Sequence, residues 1–144
     1  MVENYLNQLV STFGVLYIKL HQYHWFVEGD KFFTLHETFE DYYDEVNDYL
    51  DEYAERMLAL ELAPVSTLQE FLDNTWIKEH PYKTKMDYKE MVQSVKNDFT
   101  LIIGKLQQGI ELTAEAGDDV TNDMLIATKT SLEKHTWMLR AFLK

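Results

Sequence analysis

The chain reads as all-α, a four-helix bundle with one long crossover that contains a short helix. Apolar residues recur at three- and four-residue steps almost throughout, and only five glycines and two prolines interrupt 144 residues. One connection is also far longer than the others. With 46% hydrophobic and 14% aromatic residues there is enough apolar matter for a core, and the length suits one domain, taken as residues 1–144.

Helix one is expected from Val2 to Glu28. Leu6, Leu9, Val10, Phe13, Tyr17 and Leu20 form a single stripe running toward Gly29, which can end a helix in the left-handed conformation. Thr34 followed by Glu37 matches a reciprocal capping box, so helix two is expected from Leu35 to Leu62, carrying Phe39, Tyr42, Val46, Leu50, Tyr53 and Met57. Between Ala63 and Met86 the periodicity breaks around Pro64 and Pro81, and a second box at Thr67 and Glu70 marks a short helix. Asp87 with Glu90 opens the third long helix, which carries Met91, Val95, Phe99, Ile102 and Leu106. Gly117 and Asp118 then turn the chain into the fourth, ending near Leu143. Gly104 and Gly109 each weaken the third helix by about 1 kcal/mol relative to alanine, so close packing is expected at both.

Loop lengths select the topology. Short turns at Gly29–Phe33 and Ala116–Asp118 make two antiparallel hairpins. A helix of about 27 residues is roughly 40 Å long, and the connection from Ala63 to Met86 can travel that distance. Two hairpins joined by one long crossover is the connectivity of ferritin-like bundles.

Composition narrows the chemistry. The absence of cysteine excludes disulfides, thiolate nucleophiles and every cysteine-ligated metal site. No apolar stretch approaches the roughly 20 residues of a membrane span, and Met-Val-Glu-Asn-Tyr begins no secretory signal, so the cytoplasm is the expected location. The formal charge of -12, from 13 basic and 25 acidic side chains, opposes phosphate backbones and favours cations.

Ten of the 25 acidic residues fall between Glu37 and Glu61, with Arg56 the only base among them. Counting from His36 at about 100° per residue, Glu40, Asp44, Asp48, Asp51 and Glu55 share roughly 120° of arc, nearly opposite the apolar stripe. A solvated face is the ordinary reading of such a run. The four-residue steps His36/Glu40 and Asp51/Glu55, however, each aim two donors at one ion, and imidazole with carboxylates suits iron, manganese or zinc. Eleven residues, about 16 Å of rise, separate Glu40 from Asp51, so one helix cannot bring both pairs to one ion. Two copies packed antiparallel about a twofold axis near residue 45 or 46 can, giving two equivalent intersubunit sites roughly 22 Å apart. His24 lies on the apolar stripe of helix one, where a core role and a ligand role have equal claims. His21 lies one step aside, His80 and His135 lack acidic partners at helical spacing, and none of the three receives a metal role.

The runs His21-Gln22-Tyr23-His24-Trp25, Phe32-Phe33-Thr34-Leu35-His36-Glu37 and Asp51-Glu52-Tyr53-Ala54-Glu55-Arg56-Met57-Leu58-Ala59 resemble the Dps family of ferritin-like mini-ferritins. The likeness continues through Pro64, Ser66-Thr67-Leu68, Glu70-Phe71, Gly117 to Asp123 and Trp137-Met138, essentially the whole chain. It implies that ferrous iron is oxidised at intersubunit sites, preferentially by hydrogen peroxide and more slowly by dioxygen, and that ferric mineral is stored in a hollow dodecamer built from twofold dimers. It implies His24, His36 and Glu40 of one subunit with Asp51 and Glu55 of its mate as ligands, with Glu40 standing where many members have Asp. Trp25 resembles the family's aromatic that passes or absorbs oxidising equivalents, with core packing as its alternative role. Asp118, Asp119 and Asp123 match the acids lining threefold iron-uptake channels, although Ala114 stands where some relatives have another acid.

Two other readings compete. Members that bind DNA directly often use lysine-rich terminal extensions, whereas this sequence ends Ala141-Phe142-Leu143-Lys144 and carries -12 charges, so direct DNA binding is not expected. An acid-rich helical scaffold or adhesion protein, with a silent or zinc-filled site, would use the same donors, although zinc's tetrahedral preference fits a mononuclear site better.

Overall fold

The computed structural model describes residues 1–144 as five helices and no strands: α1 (Val2–Phe26), α2 (Phe32–Ala59), α3 (Leu68–Asn74), α4 (Tyr88–Glu115) and α5 (Asp119–Phe142). The fold class is the one read from the sequence. α1 pairs with α2 and α4 with α5 as two hairpins, and the segment bearing α3 crosses between them. The apolar stripes meet in one core, in which Leu6, Phe13, Leu20, Phe39, Met57 and Leu132 are completely buried.

Three helix ends depart from expectation. α1 stops at Phe26 because Val27 turns extended at its C-cap, while Gly29, at φ +110°, makes the turn itself. α2 starts at Phe32, one turn early, with Lys31 at its N-cap and no side-chain cap. Thr34 lies inside the helix and its carbonyl accepts the Thr38 hydroxyl, so the expected capping box is not used. An amide–carbonyl bond from Phe32 to Gly29 sets the earlier start. At its far end α2 closes with Glu61 in the left-handed region (φ 61°), the Glu61 amide bonding the Leu58 carbonyl and the Leu62 amide that of Met57. This is a glycine-type helix cap built without glycine. The same two bonds close α4, where Gly117 fills the left-handed position at φ +72°.

The other caps follow the sequence. Thr67 accepts the Glu70 amide while the Glu70 carboxylate accepts the Ser66 amide, and Asp87 and Asp118 cap α4 and α5. Of the two helical glycines only Gly109 is closely packed. A Cβ there would overlap the Tyr5 ring, whose hydroxyl donates to the Lys105 carbonyl at 2.8 Å, whereas Gly104 has nothing near it. The crossover is tied down by Lys19, which pairs with Asp98 at 2.7 Å and donates to the Lys78 carbonyl at 2.8 Å, and by Gln22, which donates to the His80 carbonyl.

One acid of α2 turns inward. Glu45 accepts hydrogen bonds from Tyr49 at 2.5 Å and Ser131 at 2.8 Å, and His135 Nε2 lies 3.0 Å from its other oxygen. His135 therefore has an acidic partner, supplied by another helix at a sequence separation that helical spacing cannot register. Burial opposes ionisation of Glu45, but the bonds from His135, Tyr49 and Ser131 outweigh it and hold the carboxyl at about 2 instead of 4.5.

Replacing Glu61→Gly is expected to raise stability by about 0.5–1 kcal/mol by relieving the left-handed strain, read as a higher thermal midpoint. Gly109→Ala is expected to lower it, because about 1–3 kcal/mol of overpacking against Tyr5 exceeds the propensity gain. A carboxyl with a depressed folded value stabilises the fold above its ordinary 4.5 and loses that contribution as pH falls toward 2. Acid titration of Glu45→Gln should accordingly show a shallower loss of stability below pH 4.5 than the parent.

Candidate metal centre

The end of α1 and the start of α2 are stitched together by two histidines. His24 Nδ1 lies 2.6 Å from the His36 carbonyl, and His36 Nδ1 lies 2.7 Å from the His24 carbonyl. Since a carbonyl only accepts, each Nδ1 carries a proton, and in the neutral imidazole this leaves the Nε2 lone pair free, the tautomer that suits a metal ligand at Nε2. The His24 carbonyl belongs to the last turn of α1, where the helix itself supplies no donors, so His36 also satisfies a helix end. The two rings stack 3.7 Å apart at 11°, with Phe32 stacked on the His36 ring at 4.9 Å.

Glu40 follows one turn after His36, exposed, with Oε1 3.8 Å from His24 Nε2. His24 is buried in the chain, with its Nε2 facing this carboxylate. Asp51 and Glu55 lie farther along α2, both exposed. The hydrogen bond and charge of Asp51 push the Glu55 carboxyl up from its ordinary value, the behaviour of two acids held together without a cation between them.

Within one chain these groups remain apart. His24, His36 and Glu40 converge at one end, Asp51 and Glu55 adjoin each other about 16 Å of helix rise away, and no group of three or more His, Asp or Glu side chains is placed to hold an ion. The five residues thus form two half-sets, one where the end of α1 meets the start of α2 and one farther along the exposed face of α2.

Trp25 is 66% exposed and so lies outside the core of its own chain. It reaches the histidine pair through a run of rings that spacing did not reveal: Trp25 lies 5.4 Å from His21, His21 stacks on Tyr43 at 3.7 Å, and Tyr43 sets its edge to His24 at 5.3 Å. His21 is held by a 2.7 Å bond to the Tyr17 carbonyl.

Near the other end of α2 the three aspartates divide. Asp118 is engaged, its Oδ1 accepting Arg56 Nη2 at 2.9 Å and the Thr121 amide at 3.1 Å. Burial would raise its carboxyl, but Thr121 and Arg56 hold it below the usual range. Asp119 and Asp123 are exposed.

The model of the ferritin-like domain, described as "Ferritin: Ferritin-like domain", matches residues 3–144. The fold superimposes on the X-ray structure of Dps from Listeria monocytogenes with a TM-score of 0.97 at 45% identity, covering 99% of this chain and 92% of that one. The chain belongs to the Dps branch of the ferritin-like family. Dps from Staphylococcus aureus is similar at a TM-score of 0.95 and 43% identity, with 99% and 95% of the two chains covered. In sequence, the DNA protection during starvation protein of Listeria innocua is 45% identical over 98% of this chain and 90% of its own length. General stress protein 20U of Bacillus subtilis is 46% identical over 96% and 94%. The Dps resemblance read in the motifs therefore holds over the whole fold.

If the two half-sets are completed by a second copy, zinc affinity measured by calorimetry should fall when dilution dissociates the assembly. A dissociated monomer that kept the parent's affinity would remove the shared arrangement.

Proposed function

We propose that this chain oxidises ferrous iron at sites shared between twofold-related copies and stores the ferric product inside a hollow dodecamer, limiting oxidative damage. The observation that carries the reading is the histidine pair, whose Nδ1 atoms are committed to backbone carbonyls and whose Nε2 lone pairs are left for metal, with Glu40 beside them. An antiparallel mate would bring its Asp51 and Glu55 to that end, supplying the second half-set, and an iron ion held between the halves would relieve the repulsion that raises Glu55. Membership of the Dps family, with stress-protection names among the relatives, supports the same reading.

Iron is the substrate here. Carboxylates are hard, charged donors that favour ferric over ferrous ion, so the acid-rich set assists electron loss. Two ferrous ions give one electron each to hydrogen peroxide, the O–O bond breaks to two hydroxides, and no hydroxyl radical is released. Dioxygen would serve as a slower acceptor. Zinc would occupy the same donors without redox change, and the Listeria innocua Dps has been soaked with zinc and with cobalt. Trp25 would accept stray oxidising equivalents through Tyr43 and His21.

Asp119 and Asp123 would line the uptake channel, while Asp118, already bonded to Arg56 and capping α5, would shape its rim. No helix is long and apolar enough to cross a membrane, and the cytoplasm is the proposed location. The names of the relatives raise DNA as a partner, but -12 charges per chain oppose direct contact with duplex phosphates.

Anaerobic addition of ferrous iron followed by half an equivalent of peroxide should give rapid ferric absorbance in the parent. The Glu40→Ala, Asp51→Ala, Glu55→Ala triple variant should fall to the rate of buffer, and zinc should inhibit the parent; equal rates in parent, variant and buffer would overturn the activity. Asp123→Asn is expected to slow iron uptake while leaving peroxide oxidation at pre-loaded sites unchanged, and unaltered uptake would remove the channel role.

A further inference from the structure

We infer that Tyr49 is a redox-active tyrosine that gives up one electron while its phenolic proton crosses to Glu45, making the bundle core a one-electron sink separate from the metal ligands. Tyr49 donates to Glu45 Oε2 at 2.5 Å, the same oxygen accepts Ser131 at 2.8 Å, and His135 Nε2 stands 3.0 Å from Oε1. Tyr5, Tyr23 and Tyr53 bond a carbonyl or a hydroxyl instead, and Tyr49 alone has a carboxylate acceptor.

That difference decides which phenol is easiest to oxidise. Removing an electron from a phenol makes its O–H strongly acidic, and a charged acceptor already at hydrogen-bond distance receives the proton without solvent or side-chain movement. Ser131 and His135 keep the carboxylate aimed at Tyr49 during the transfer. Phe13 covers the ring at 5.2 Å, an apolar wall that slows radical coupling with other molecules. Although Tyr49 is two residues from Asp51, it points about 200° away around α2, into the core.

The step balances. One electron passes from the phenol to an oxidant of the hydroxyl-radical class, which becomes hydroxide. The Tyr49 O–H bond breaks and an O–H bond forms at Glu45 Oε2, leaving a neutral phenoxyl radical beside a neutral carboxylic acid. A ferrous ion or a thiol returns the electron, and the proton moves back. Such a sink would suit a shell that meets iron and peroxide, but its chemistry does not depend on that reading.

The test uses the metal-free assembled protein, a photogenerated ruthenium(III) oxidant and freeze-quench electron paramagnetic resonance. A long-lived tyrosyl signal is expected in the parent, with loss of most of it in Tyr49→Phe. Glu45→Gln keeps the phenol but removes the charged acceptor, and should lower the yield and abolish the solvent-deuterium effect on radical formation. Should Glu45→Gln fail to fold, Ser131→Ala, which loosens the carboxylate, is expected to lower the yield in the same direction. A folded Tyr49→Phe with the parent's signal, or an acceptor variant with the parent's yield and isotope effect, would overturn the assignment. No iron or peroxide is present, so failure here leaves the ferroxidase proposal standing, and the reverse also holds.

Discussion

The reciprocal imidazole–carbonyl bonds between His24 and His36 are the joint on which the α1–α2 hairpin is assembled. A helix end leaves carbonyls without donors, and a ring that donates from Nδ1 closes one of them while fixing its own tautomer. One pair of bonds therefore sets the hairpin, orients two candidate ligands and stacks their rings. The backbone need is met at Nδ1, and the proposed metal ligation falls on Nε2 of the same two rings.

Against that joint stands the repulsion along α2. Glu40, Asp44, Asp48, Asp51 and Glu55 are all exposed on the outer face, and the core cannot neutralise them. The opposite side of α2 opposes this repulsion by burying Phe39, Val46, Tyr53 and Met57 almost completely. Cations are the partners that such a surface favours, and the Dps relatives imply a homo-oligomeric assembly.

Periodicity made the helices, their pairing and the crossover legible, since each rests on local apolar spacing and loop length. The half-sets His36/Glu40 and Asp51/Glu55 were legible for the same reason, being four residues apart. Helix ends were less so. Thr34 and Glu37 had the right types for a cap, but the Gly29 turn and the histidine joint start α2 earlier; Glu61 shows that a glycine-type end can form without glycine. Contacts between distant segments left no trace in spacing: His135 with Glu45, Tyr43 with His21, and the contrast between Gly109 under Tyr5 and Gly104 in the open.

The tether from Lys19 and Gln22 to the crossover has a consequence for local opening. Both residues sit on the half of α1 that ends in His24, and both hold backbone carbonyls of the crossover, at Lys78 and His80. Phe71 of α3 is also seated against Gly14 of the same helix. The long connection, which by length alone would be the most mobile part of the chain, is thereby tied at these points to the helix that presents the histidines.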